Sequence, residues 1–166
     1  MANFGIGTPV PAETATIVPL RYPLVLGITT LLFVGRVLGQ LLVASGDVGF
    51  LPPFERWYSG LMPYWLLLPV QIIMIAVMLK ILRDFARGAG FFVHLRPRTG
   101  NILMWLSYIY AFAMAVRYVV TMTLHPELRW FSGTIPIWFH FVLAAFLYTL
   151  GRYQVRRAAL MSEAQP

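Results

Sequence analysis

The chain has 166 residues, of which 59% are hydrophobic, 15% aromatic and only 11% charged. Soluble domains carry about 25% charged residues to cover their surface, so this composition excludes a soluble globular protein. Cysteine is absent from the sequence, which excludes disulfides, thiolate metal sites, thiol nucleophiles and cysteine-attached haem.

Residues 1–22 are rich in Thr and Pro and hold no Lys or Arg before Arg21. A secretory signal has a basic leader and a short apolar region of roughly 7–15 residues. This segment lacks such a leader and the apolar run behind it is longer, so it reads as a flexible cytoplasmic arm ahead of a retained span. A helix of about 20 apolar residues crosses the roughly 30 Å of hydrocarbon in a bilayer. Four such windows follow, at residues 23–44, 62–82, 101–122 and 135–152. Helix breakers lie between them: Ser45-Gly46-Asp47 and Leu51-Pro52-Pro53, then Gly88, Gly90 and Arg96-Pro97-Arg98-Thr99-Gly100, then His125-Pro126 through Gly133-Thr134. Open backbone finds no partner in lipid, so the windows predict helices and the breakers predict interfacial turns. Residues 82–95 extend the second helix amphipathically, with Arg83, Asp84 and Arg87 on one side, until Gly88 and Gly90 end it. The expected fold is an all-α integral membrane protein, a four-transmembrane-helix bundle over residues 23–157 with a cytoplasmic tail at 158–166.

The formal charge of +7 arises from 13 basic against 6 acidic residues, and their placement sets the expected orientation. Short cytoplasmic connections retain Lys and Arg. Arg21, Lys80, Arg83, Arg87, Arg96, Arg98, Arg152, Arg156 and Arg157 fall on one side of the windows, and Arg56 and Arg129 on the other. Both termini and the middle connection are therefore expected in the cytoplasm, with the bacterial inner membrane as the expected location. The basic excess also suits anionic lipid. No nucleic-acid recognition module accompanies it, so nucleic acid is not an expected partner.

Aromatic residues crowd the outer ends of two windows: Phe50, Phe54, Trp57, Tyr58, Tyr64 and Trp65 at the second, Trp130, Phe131, Trp138 and Phe139 at the fourth. Such rings favour the headgroup level, which predicts outer connections lying flat on the membrane. Small residues, among them Gly27, Gly35, Gly39, Ala113, Ala115, Ala144 and Ala145, predict that some helices approach closely.

Polar groups within hydrocarbon are costly and mark function. Arg36, Gln71, Arg117 and His140 sit in four different windows, at roughly 10–12, 13, 8 and 8 Å below the outer boundary for 1.5 Å per residue. Helical phase adds Gln40 to the face of Arg36 and Tyr110 to the face of Arg117. These six residues predict one shared polar seam that binds a ligand. The windows contain no Asp or Glu, and arginine does not discharge. Arg36 and Arg117 therefore need outer acids (Asp47, Glu55, Glu127), backbone carbonyls, or an anionic or carbonyl-bearing ligand.

His140 is the one histidine well inside a window; His125 lies in an outer connection and His94 on the cytoplasmic side. That disfavours bis-histidine haem, and no Ser-His-Asp or metal–carboxylate spacing is present. The reading is a non-catalytic integral membrane subunit. It packs laterally against other integral membrane proteins in a larger complex and binds lipid, quinone or pigment in an outer-leaflet seam. The alternative is a self-sufficient membrane carrier or enzyme acting on an amphipathic anionic substrate through Arg36, Arg117 and His140.

Overall fold

The computed structural model describes residues 17–46, 49, 51–53, 57, 63–124 and 135–163. Most of the N-terminal arm, the outer acids Asp47, Glu55 and Glu127, and His125 lie outside the described residues. Four helices carry the fold: α1 (Arg21–Ser45), α2 (Tyr64–Arg87), α3 (Pro97–Leu124) and α4 (Ile135–Glu163). Each is long and apolar enough to cross a membrane. The helices outrun the apolar windows; α4 continues about three turns beyond Arg152.

Local chemistry sets the ends. α2 stops at Gly88, whose φ of 63° lies in the left-handed region and whose N–H reaches the carbonyls of Asp84 and Phe85. The run from Arg96 to Gly100, expected as a breaker, opens α3 instead. Proline is tolerated in a first turn because its missing N–H has no helical partner there, and Gly100 is buried inside the helix.

The helices alternate in direction. The ring of Tyr153 near the end of α4 lies 5.1 Å from that of Tyr22 at the start of α1 and 4.7 Å from that of Phe85 at the end of α2. The start of α3 joins them through Gly100, against Gly151. Both helical ends of the chain and the 88–96 turn thus share one end of the bundle, here termed the basic end. Laterally, α1 packs on α2 and on α4, and α4 packs on α3, whereas the backbones of α2 and α3 stay apart. The core follows this order: Leu26, Phe33 and Val37 of α1 meet Met78, Ile81 and Phe85 of α2 and Phe146 and Leu150 of α4. In α3 only Gly100 and Ser107 are buried, while large apolar groups such as Trp105 and Phe112 point outward, as lipid as solvent permits.

The 88–96 turn is a built element. The Phe92 N–H donates to Asp84 Oδ2 at 3.3 Å, and Lys80 pairs with the same carboxylate at 3.4 Å. Gly90, at φ 111°, leaves room for that carboxylate, since a Cβ there would sit 2.6 Å from Asp84 Cγ. Gln154 donates to the Phe92 carbonyl at 2.6 Å and Arg157 to the Val93 carbonyl at 3.0 Å, fastening the turn to α4.

The tightest helix contact is glycine on glycine. A Cβ on Gly151 would lie 2.7 Å from the Gly100 carbonyl oxygen and 3.0 Å from the Met104 nitrogen, both backbone atoms that cannot rotate away. Ser107 adds a bond across the same interface, donating to the Ala144 carbonyl at 3.0 Å. Of the small residues singled out from sequence, Ala144 lies in this interface, but Gly35 has nothing within 4 Å of a Cβ and Ala113, Ala115 and Ala145 are exposed. Gly151→Ala is therefore expected to destabilise the fold by about 1–3 kcal/mol through overpacking. Gly35→Ala should be neutral or stabilising by up to about 1 kcal/mol. Unfolding by SDS titration in mixed micelles, followed by circular dichroism, measures both; equal effects would show that the glycine contact does not matter.

Candidate functional site

The buried face of α1 runs through Leu26, Thr29, Phe33, Arg36, Val37 and Gln40, a helical stripe of steps of three and four residues. Its threonines satisfy themselves: Thr29 donates to the Val25 carbonyl at 2.8 Å and Thr30 to the Leu26 carbonyl at 2.6 Å. Arg36 is too long and too charged for that. Its Nη2 donates to the Trp57 carbonyl at 3.2 Å, so a backbone carbonyl, one of the three expected sources, serves as its partner. Trp57 is itself buried, contrary to its expected place in a headgroup belt. Its indole N–H donates to the Pro52 carbonyl at 3.0 Å, and its ring fills the notch left by Gly39, where a Cβ would come within 2.8 Å of Cη2.

One turn beyond Arg36, Gln40 meets Gln71 of α2, whose Nε2 donates to Gln40 Oε1 at 3.3 Å. Gln40 is 1% exposed and Gln71 4%. The remaining ends of this pair, Gln40 Nε2 and Gln71 Oε1, have no partner among the described residues, and neither has Arg36 Nε. A buried donor or acceptor left unpaired costs about 1–3 kcal/mol.

The second half of the seam lies between α3 and α4. The rings of Tyr110 and His140 are 5.6 Å apart. His140 uses Nδ1 on the Pro136 carbonyl of its own helix, which leaves Nε2 as the nitrogen directed elsewhere. Arg117 follows Tyr110 by two turns on the same face of α3. The Arg36 guanidinium stands 5.8 Å from the ring of Phe139. The six sequence-derived residues thus form two groups, Gln40 with Gln71 and Tyr110 with Arg117 and His140, with Arg36 between them. α1 joins the two groups, since it packs on both α2 and α4 while the backbones of α2 and α3 stay apart.

Sequence reasoning missed what the separation of α2 and α3 creates: a laterally open apolar groove of about 730 Å³, floored by α4. Met74 and Met78 form one wall, Leu103 and Leu106 the other, and Phe146 the floor; Tyr110 closes one end. Tyr110 therefore belongs to both groove and seam. Apolar side chains in a membrane helix carry no signal that separates a groove wall from a lipid-facing surface. Among the described residues no group of His, Cys, Asp or Glu is placed to hold a metal ion.

Comparison with known protein families, with curated proteins and with solved structures gives no match.

The glutamine pair generates a direct test. Gln40→Leu and Gln71→Leu each strand the opposite amide and should destabilise the fold by about 1–3 kcal/mol. The double variant should cost less than the two together, by about 0.6 kcal/mol, a typical coupling for a hydrogen bond between membrane helices. Strict additivity in SDS-titrated unfolding would show that the pair does not act as a unit.

Proposed function

We propose that the protein is a non-catalytic integral membrane subunit that holds an amphiphile, lipid, quinone or pigment, between the α2–α3 groove and the polar seam. The observation carrying this reading is the juxtaposition at Tyr110: a laterally open apolar groove, suited to a hydrocarbon or isoprenoid tail, meets the Tyr110 and His140 rings, with Arg117 two turns further along α3. The seam offers permanent cations and amide donors. Arg117 has no ion pair among the described residues, so it favours a ligand that presents negative charge or a carbonyl oxygen; a hydrogen bond to a charged group contributes about 1.5–3 kcal/mol. Chemistry would need a base with a group to orient it. His140 spends Nδ1 on its own helix, which supports binding over turnover.

Lateral assembly is the second part of the proposal. The outward face of α3 carries Trp105, Tyr108, Ile109 and Phe112 in a dense aromatic and aliphatic stripe, a surface suited to another membrane helix. The basic end, with Arg21, Arg83, Arg87, Arg96, Arg98, Arg152, Arg156 and Arg157, belongs in the cytoplasm by the distribution of its charges. The bacterial inner membrane is the proposed location.

Arg117→Gln should reduce a co-purifying lipid or quinone at least tenfold, or release the protein from its complex, while helicity persists; native purification with mass spectrometry of lipids and proteins reads both. Unchanged ligand and partner content would reduce Arg117 to a structural group. Turnover by the isolated protein that disappears in His140→Ala would favour the carrier or enzyme instead. Orientation is tested separately, since the native chain has no thiol: a cysteine at Ser45 should label from outside intact cells, and labelling only after the inner side is opened would reverse the topology.

A further inference from the structure

A second cleft, of about 410 Å³, lies at the basic end between the start of α1 and the last turns of α4, far from the seam. Arg21, Tyr22, Tyr153, Arg156 and Arg157 line it. A smaller cleft shares Arg21 and Tyr22 and adds Arg152, whose Nη1 donates to the Tyr148 hydroxyl at 2.7 Å. Among the described residues the one ion pair is Lys80–Asp84, so none of these arginines is neutralised by a described carboxylate. The first turn of α1, which borders the cleft, holds no acid.

Two buried donors make this more than a charged surface. Tyr153 is 4% exposed, its ring packs 5.1 Å from that of Tyr22, and its hydroxyl has no hydrogen-bond partner among the described residues. Arg157 spends Nη1 on the Val93 carbonyl, while its buried Nε has no partner among the described residues. The turn thereby holds the guanidinium of Arg157 in place. Two apolar residues, Ile17 and Leu160, 94% and 61% exposed, border the same cleft. Arginine forks match phosphate oxygens in pairs, and an apolar border favours a phosphate that carries acyl chains.

We propose that this cleft binds the phosphate of an anionic phospholipid, independently of any ligand in the seam. The experiment places the protein in nanodiscs of phosphatidylcholine with one quarter phosphatidylglycerol and counts retained lipids by native mass spectrometry. The wild type should retain phosphatidylglycerol preferentially. Arg21→Gln and Arg156→Gln should each lower retention about fivefold, the effect of one basic residue at a membrane surface. Tyr153→Phe changes no charge and should lower it about tenfold by removing a hydrogen bond to a charged group. Arg83→Gln, at the same end but outside the cleft, should change nothing. Loss in Arg83→Gln equal to that in Arg156→Gln, or no loss in Tyr153→Phe, would overturn the built site in favour of diffuse surface charge. A thermal shift of the delipidated protein with inorganic phosphate as large as that with phosphatidylglycerol would overturn the lipid as the source of the phosphate; a shift with the lipid alone is the expected result.

Discussion

Hydrocarbon offers no hydrogen bond, and the arrangement of this chain follows from that constraint. Short side chains meet it locally: Thr29, Thr30 and Thr149 each bond a carbonyl four residues back in their own helix. Larger groups cannot, and where they reach decides which helices meet. Ser107 commits α3 to α4, Gln71 commits α2 to α1, and Gln154 commits the 88–96 turn to α4. Bonds of this kind contribute only about 0.6 kcal/mol each in a membrane, so they select one packing among many more than they hold it together. Close contact supplies the rest, at its tightest where Gly100 and Gly151 bring two backbones together.

The number of helices and the buried face of α1 were legible because both are periodic properties: length against bilayer thickness, and a stripe at steps of three and four. Adjacency was not legible. Periodicity says which side of a helix is polar, but not which helix that side faces. Six residues of matching depth therefore read as a single seam, with no sign in the sequence that α1 and α4 join its two groups while α2 and α3 stay apart. Trp57 was read from composition as an interfacial ring; the notch at Gly39 that buries it exists only once a connection folds back on α1.

The basic end was the least legible part. Tyr153 and Gln154 follow Arg152 and so fall beyond the last apolar window, where polar residues are expected to face water. They are buried because the turn after α2 folds over α4 and supplies carbonyls for Gln154 and Arg157. Asp84, read as sharing one polar side with Arg83 and Arg87, is buried while both arginines are exposed. A carboxylate near a helix C-terminus is unfavourable to the dipole, yet here it accepts the Phe92 N–H, pairs with Lys80 and shapes the turn.

Helix α2 is anchored unevenly. At the basic end it is clamped from two sides, by α1 and by the Phe85–Tyr153 contact with α4; further along it leans on α1, with Gln71 as its polar tie. No backbone contact joins it to α3 at any height. The width of the groove therefore depends on how α2 leans on α1, since no backbone contact with α3 sets it. Substitutions on the α1 face that meets α2 are thereby substitutions of the groove's width, although no residue of α1 lines it.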